Sequence, residues 1–129
     1  MKTYWDSSAL IEAVLEQKIR QRLASSQSVT RVHALSEVFA TLTGGRLGVK
    51  FEANEAARVM NELAADLEFV ELTAKETLAA MDDAEEKGVR GGRVHDHLHA
   101  VAAKKARAGL LLTSDKFDFS GLFEKVEVL

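Results

Sequence analysis

Four acidic residues in this chain of 129 residues stand where a shared chemical site would need them. Each follows an apolar strand or lies at the start or middle of a helix: Asp6, Glu37, Asp96 and Asp115. In open parallel α/β sheets the carboxyl ends of the strands form the ligand crevice, so we expect the four carboxylates at one sheet edge. Carboxylates brought together repel one another, and they either keep protons at raised pKa or hold divalent cations. The pattern predicts a metal-dependent hydrolase.

Two of these acids also have an ordinary structural interpretation within their own helices. Asp6 precedes a helix and could cap it by accepting a backbone N–H, although Ser7 or Ser8 could do the same. Glu37 lies in mid-helix, away from the apolar stripe, so the alternative for it is a solvent-facing helical residue.

The other two acids have equally plain alternatives. Asp96 opens a predicted helix, where a carboxylate favours the helix dipole and could serve as a cap. Asp115 follows a Leu-rich strand, where Asp commonly forms a turn, and Asp118 offers a second carboxylate with the same alternative.

Hydrophobic periodicity predicts alternating strands and helices. Strands are predicted at residues 2–5, 28–32, 69–72, 110–112 and 126–129. Helices are predicted at residues 7–23, 33–44, 52–67, 74–87 and 96–108, the fourth of them capped by Thr73 with Glu76. Such alternation indicates an α/β/α sandwich of three layers around a mostly parallel sheet.

Bulk composition excludes several classes of protein. The net charge of −3 argues against binding nucleic acid through a broad basic surface, although metal ions in an acidic pocket still permit a nuclease. Cysteine is absent, which excludes disulfides and thiolate metal sites and suits a reducing cytosol. The sequence contains no apolar run of membrane-spanning length, so we expect a cytoplasmic location and no membrane partner.

The four histidines invite comparison with a zinc site. His95 and His99 are four residues apart and could share a helical face, but no third ligand follows at a known zinc spacing. Zinc is therefore not predicted. A histidine that reaches a substrate phosphate is the alternative, with His33 and His97 as further candidates.

Four segments in order carry a family resemblance. The segments WDSSALIE, HALSEVFATLT, GGRVHDHLHAVAA and LLTSDKFDF resemble those of PIN-domain nucleases, and most of all the VapC-type toxins of bacterial toxin–antitoxin pairs. The resemblance covers nearly the whole chain and implies one PIN-like domain over residues 1–129. Every acidic position of the family has a counterpart here: Asp6, Glu37, Asp96 and Asp115, with Asp118 as the acid on which some members rely instead.

The resemblance implies hydrolysis of RNA phosphodiester bonds with Mg²⁺ or Mn²⁺. It makes Asp6, Asp96 and Asp115 direct metal ligands, while Glu37 serves the same metal site by holding a water. Accessory hydroxyls match at Ser7 and Thr113. The loop of residues 88–93 lacks a nucleotide phosphate-loop pattern, but two basic side chains there are candidates for RNA contact, namely Arg90 and Arg93.

The same resemblance implies a small antitoxin protein as partner and a homodimer. Alternatives remain a PIN nuclease that processes RNA without being a toxin, and a non-catalytic interaction domain. A phosphoacceptor receiver domain fits poorly, because the strand of residues 69–72 ends in Thr73 and not in an acceptor Asp.

Overall fold

The structure is a computed structural model that describes residues 1–45, 48, 50–115 and 119–129. Within these residues five strands form one sheet, in the order β3-β2-β1-β4-β5, and each pair of neighbours is parallel. The strands are β1 (Lys2–Trp5), β2 (Gln27–Arg31), β3 (Glu68–Val70), β4 (Leu110–Thr113) and β5 (Val126–Val128). The predicted parallel sheet is confirmed.

Helices cover both faces of the sheet. They are α1 (Ser7–Leu15), α2 (Gln17–Ser25), α3 (His33–Gly44), α4 (Ala53–Ala64), α5 (Ala74–Asp82) and α6 (Arg93–Lys105). On one face, α1 to α4 pack on a core that includes Trp5 and Leu112. On the other, α6 packs on a core that includes Tyr4 and Leu111. Neighbouring residues of a strand point to opposite faces, so β1 and β4 feed both cores, and the predicted three-layer sandwich is confirmed.

Two predicted helix boundaries were wrong for reasons of local backbone. The predicted helix of residues 7–23 is two helices, because Glu16 is extended with φ −125° and ψ 122°. The helix predicted to reach residue 87 ends at Asp82, after which i→i−3 hydrogen bonds form tighter turns. Gly88, with φ 66°, then reverses the chain in a left-handed conformation that suits glycine.

Helix α6 begins earlier than predicted. It starts at Arg93, so Asp96 lies in its first turn and does not open it. Gly92 precedes the helix with helical φ and ψ and gives no side-chain cap, so the usual start signal is missing from the sequence. The carboxylate still lies where it favours the helix dipole.

Connectivity brings the elements that carry Asp6, Glu37 and Asp115 to one edge of the sheet. The chain leaves β1 through Asp6 alone before entering α1, and it leaves β2 through Val32 before entering α3. Parallel strands share one carboxyl edge, so the starts of α1 and α3 meet there with the end of β4. Among the residues that the structure describes, no helix is long and apolar enough to cross a membrane.

Candidate active site

Asp6 lies at the centre of the sheet edge and is almost completely buried, with 3% of its surface exposed. Its Oδ1 accepts hydrogen bonds from the Ala9 backbone N–H at 2.8 Å and from the Ser8 hydroxyl at 2.7 Å. Asp6 therefore caps α1 itself, which confirms its capping interpretation, and the alternative that Ser7 or Ser8 could take that role was wrong. Capping uses one carboxylate oxygen and is compatible with a further role.

Burial changes the acidity of Asp6. Removal from water raises the pKa of this carboxyl, and hydrogen bonds from Thr113, Ala9 and Ser8, together with the charge of His99, offset only part of that effect. A buried carboxylate with a raised pKa is costly as an anion. It is therefore a group that a bound cation would stabilise, and one of the features that distinguish functional sites.

Ser8 ties the start of α1 to the end of β4. Its hydroxyl oxygen accepts from the Ser114 backbone N–H at 2.9 Å and lies 3.2 Å from the hydroxyl of Thr113. The backbone N–H of Asp6 also donates to the carbonyl of Leu112 at 3.1 Å. The sequence singled out Thr113, but it gave no sign that Ser8 links these two elements.

Asp115 follows this junction and is exposed to solvent. Its backbone N–H donates to the Thr113 hydroxyl at 3.1 Å, which fixes the turn that carries the carboxylate. The turn interpretation is thus correct for its backbone, and the residue follows β4 at the same sheet edge as Asp6. Asp118 lies outside the described residues.

Glu37 reaches the site from α3. Its Oε1 accepts a hydrogen bond from the Ser7 hydroxyl at 2.8 Å and lies 3.3 Å from Nε2 of His99, with 28% of its side chain exposed. The solvent-facing interpretation of Glu37 was therefore wrong. Burial alone would raise the pKa of this carboxyl, but the hydrogen bond and charge of His99 and the hydroxyl of Ser7 lower it to about 2.

His99 contacts Ser7 and Glu37 from α6, whereas the sequence offered it only as a zinc candidate or as one of four histidines that could reach a phosphate. It is buried, its Nδ1 lies 2.7 Å from the Tyr4 hydroxyl and its Nε2 lies 3.2 Å from the Ser7 hydroxyl. Because Ser7 donates its proton to Glu37, the serine oxygen accepts from Nε2, which therefore carries a proton. Nδ1, on the opposite side of the ring, pairs with the Tyr4 hydroxyl. A signal existed in the sequence, since His99 follows Asp96 by three residues on one helix.

Asp96 is half-buried in the first turn of α6. Its spacing from His99 puts the two side chains on one face of the helix, and that face meets Tyr4 and Ser7. Connectivity and spacing therefore bring Asp96 to the same edge as Asp6.

Two of the four histidines have hydrogen-bond partners within the fold. His97 is buried and its Nε2 lies 2.9 Å from the carbonyl of Ala80, while His99 is occupied by Tyr4 and Ser7. Among the residues that the structure describes, no three His, Asp or Glu side chains are grouped closely enough to hold a metal ion together.

The two arginines predicted as RNA contacts lie before and at the start of α6. Arg90 is exposed in the preceding loop. Arg93 is half-buried, and its Nη2 donates to the carbonyl of Ser120 at 2.6 Å, so its guanidinium has a structural contact. Contact with RNA remains a prediction for both.

The chain is similar to known proteins in its structure but not in its sequence. The sequence matches no protein-family model and no curated protein. One similar structure is the crystal structure of VapBC2 from Rickettsia felis bound to a DNA fragment of its promoter. The matched chain gives a TM-score of 0.71 at 16% identity, and the match covers 98% of each chain.

Two further crystal structures agree with this comparison. PAE2754 from Pyrobaculum aerophilum gives a TM-score of 0.69 at 15% identity, covering 98% of this chain and 88% of that one. A toxin–antitoxin complex from Klebsiella pneumoniae gives 0.68 at 16% identity, covering 97% and 95%. At such identity the likeness concerns architecture, and the chain therefore has the PIN-like α/β/α fold that these structures share, as its sequence motifs predicted.

Proposed function

We propose that this chain is a metal-dependent endoribonuclease and the toxin of a VapBC-type toxin–antitoxin pair. The observation that carries the proposal is the buried carboxylate of Asp6 at the end of the central strand, next in sequence to Ser7, which contacts both His99 and Glu37. Capping of α1 needs only a hydrogen-bond acceptor, which a neutral Asn would supply equally well, so the acidity of this side chain supports a further role. Its place at the carboxyl edge of a parallel sheet is where α/β proteins bind their ligands.

The donor atoms suit a hard divalent cation. Carboxylates of Asp6, Asp96 and Asp115 would hold Mg²⁺ or Mn²⁺, with the hydroxyl of Thr113 beside them. Mg²⁺ is commonly bound by one or two carboxylates and keeps several waters, so a preformed cluster of three ligands is not required. When bound, such an ion lowers the pKa of a water and offsets charge that develops on the phosphate.

The low pKa of Glu37 argues against a role as general base. Its pKa of about 2 keeps it ionised at neutral pH but makes it a weak acceptor of a proton in the reaction. Ser7 and His99 both contact Oε1, so the carboxylate is held in one orientation. We infer that Glu37 orients an attacking water by hydrogen bonding, and that no side chain acts as a covalent nucleophile.

Partners follow from the same proposal. VapBC2 and the complex from Klebsiella pneumoniae are toxin–antitoxin proteins, which supports a small antitoxin as partner. An acidic pocket invites a basic side chain, so we expect an antitoxin Arg or Lys near Asp6 and Asp96. We further propose a homodimer that acts on RNA in the cytoplasm.

The test is incubation of the purified chain with a panel of tRNAs and ribosomal RNA in Mg²⁺ or Mn²⁺, followed by mapping of the new ends. We expect cleavage at few sites, abolished by chelator and restored by added metal. Absence of cleavage across the panel, with a folded protein that binds its partner, would support a non-catalytic interaction domain instead.

A further inference from the structure

Arg31 ends β2 and lies half-buried at the carboxyl edge of the sheet. Every other half-buried arginine that the structure describes donates to an acceptor: Arg20 to Asp66, Arg22 to Glu127 and Arg93 to the carbonyl of Ser120. The guanidinium of Arg31 forms no hydrogen bond or ion pair with any residue in the described part of the chain. A partly buried cation without an acceptor costs free energy, so a ligand that supplies one would bind here favourably.

Arg31 lines a depression of about 300 Å³, called here the Arg31 pocket, at the ends of β2 and β3. The other residues of its wall are Val32, His33, Val70, Glu71 and Leu72. Among the described residues of this wall only Glu71 is acidic, and it is exposed and forms no ion pair with Arg31. Pockets that bind small ligands begin at about this volume. The pocket therefore has room for an anionic group beside a cation that no carboxylate of the wall neutralises.

The start of α3 favours an anion at the same place. Its N-cap residue, Val32, lines the Arg31 pocket and gives no side-chain cap to the first backbone N–H groups of the helix. The positive end of a helix dipole attracts negative charge. This effect adds to the charge of Arg31, which is the feature that selects the ligand.

The Arg31 pocket lies next to the candidate active site. Tyr4 of β1 pairs with Val29 of β2. Asp6 and Arg31, each two residues further along its chain segment, therefore occupy corresponding positions, and neighbouring strands lie about 4.8 Å apart. Burial raises the pKa of Tyr4 and the charge of Arg31 acts to lower it, which places this cation near the hydrogen-bonded pair of Tyr4 and His99.

From these observations we propose that Arg31 binds a backbone phosphate of the RNA substrate and so holds a neighbouring linkage at the carboxylates. A guanidinium is planar and always charged, and its donors match two oxygens of one phosphate. Because the chain has a net charge of −3, a few well-placed cations must hold RNA in place of a broad basic surface. A phosphate contact fixes the register of the strand and carries no base specificity. The proposal rests on the proposed ribonuclease function and adds a substrate-binding residue to it.

The experiment measures kcat/KM for cleavage of a short single-stranded RNA at fixed Mg²⁺ over a series of salt concentrations. Arg31→Met keeps the apolar stem and removes the charge, so we expect kcat/KM to fall about tenfold at low salt. The slope of log kcat/KM against log salt should become shallower by about 0.7, the contribution of one phosphate on a single strand. Arg31→Lys keeps the charge and should retain the wild-type slope, with an intermediate kcat/KM.

A matched control makes the same change in net charge elsewhere. Arg58 is exposed on α4 and does not line the Arg31 pocket, so Arg58→Met should cleave as wild type does. A second series replaces one backbone phosphate at a time by a neutral methylphosphonate, away from the linkage that is cut. Wild type should lose kcat/KM most strongly at one position, and Arg31→Met should be insensitive there.

Three results would overturn the assignment while leaving the ribonuclease function intact. Arg31→Met could cleave with the wild-type kcat/KM and salt slope. It could lose kcat/KM with an unchanged slope, which would indicate damage to the network of Tyr4 and not loss of a phosphate contact. Arg31→Met and Arg58→Met could also weaken cleavage alike, which would reflect net charge alone. If wild type cleaves no RNA, the proposed function fails and the role of Arg31 fails with it.

Discussion

Nε2 of His99 and Oε1 of Glu37 lie 3.3 Å apart, although the two residues belong to different helices on opposite faces of the sheet. Ser7 contacts both groups, and Tyr4 holds the far side of the imidazole. The side chains of β1, α1, α3 and α6 are thereby joined in one hydrogen-bonded network. Because every member is fixed by another, the orientation of Glu37 depends on a residue that need not touch substrate.

Replacement of His99 tests this dependence. His99→Ala frees Glu37 from α6, and we expect the cleavage rate to fall by about 100-fold, the effect of a small misplacement of a reacting group. The buried Tyr4 hydroxyl also loses its hydrogen bond with His99, which lowers the free energy of unfolding by about 1 kcal/mol. His99→Gln, which both donates and accepts, should recover part of each loss. Rates are measured where all variants are folded, and combination with Glu37→Gln should add little to either single effect.

Substitution of Asp6 by Asn separates the capping role of this side chain from its negative charge. Asn is as good a cap as Asp, so Asp6→Asn keeps the acceptor for Ala9 and removes the buried charge. The pKa of Asp6 is raised in the folded state above its ordinary value of 3.8, so protonation of this carboxyl favours folding. This stabilisation is fully present below pH 3.8 and is lost as the pH rises through the raised pKa. Without metal at pH 7, we expect Asp6→Asn to melt at or above wild type. Asp6→Ala should lose about 1 kcal/mol of stability with its cap.

Comparison of wild type with two Asn variants tests whether the carboxylates bind a metal ion. Added Mg²⁺ should raise the melting temperature of wild type more than that of Asp6→Asn or Asp96→Asn. Equal metal responses, with both Asn variants melting far below wild type, would instead support purely structural carboxylates.

Acid unfolding tests the environment of Glu37. Its pKa is lowered from 4.5 to about 2, so the ionised carboxyl stabilises the fold above its ordinary value and this contribution disappears as pH falls from 4.5 to about 2. Glu37→Gln should therefore lose less stability than wild type across that window, measured as the urea midpoint at successive pH values. Parallel curves for the two proteins would contradict the charge-stabilised network.

Growth of bacterial cells tests the toxin interpretation. Expression of wild type alone should arrest growth, and co-expression of its antitoxin should restore it. Asp6→Ala, at matched protein level, should be harmless. If wild type is equally harmless, the RNA-processing nuclease becomes the better interpretation.

The sequence predicted the sheet because strands such as β4 are short apolar runs between helical patterns. It also placed Asp6 at a strand end, a position that local pattern reveals. It offered His99 only as one of four histidines that could reach a phosphate, and it did not predict the partners Tyr4 and Ser7, which are 95 and 92 residues away along the chain. Spacing within α6 puts His99 on the same helical face as Asp96, but the network itself arises from packing of distant elements, which the periodicity of one helix does not reveal.

The central claim is that the carboxylate of Asp6 serves RNA hydrolysis and not only the capping of α1. The most direct measurement compares RNA cleavage by wild type and Asp6→Asn in Mg²⁺, at equal concentrations of folded protein. Since the variant keeps the cap, we expect unchanged folding and a rate at least about 100-fold lower. Cleavage at the wild-type rate by a folded Asp6→Asn protein would contradict the claim.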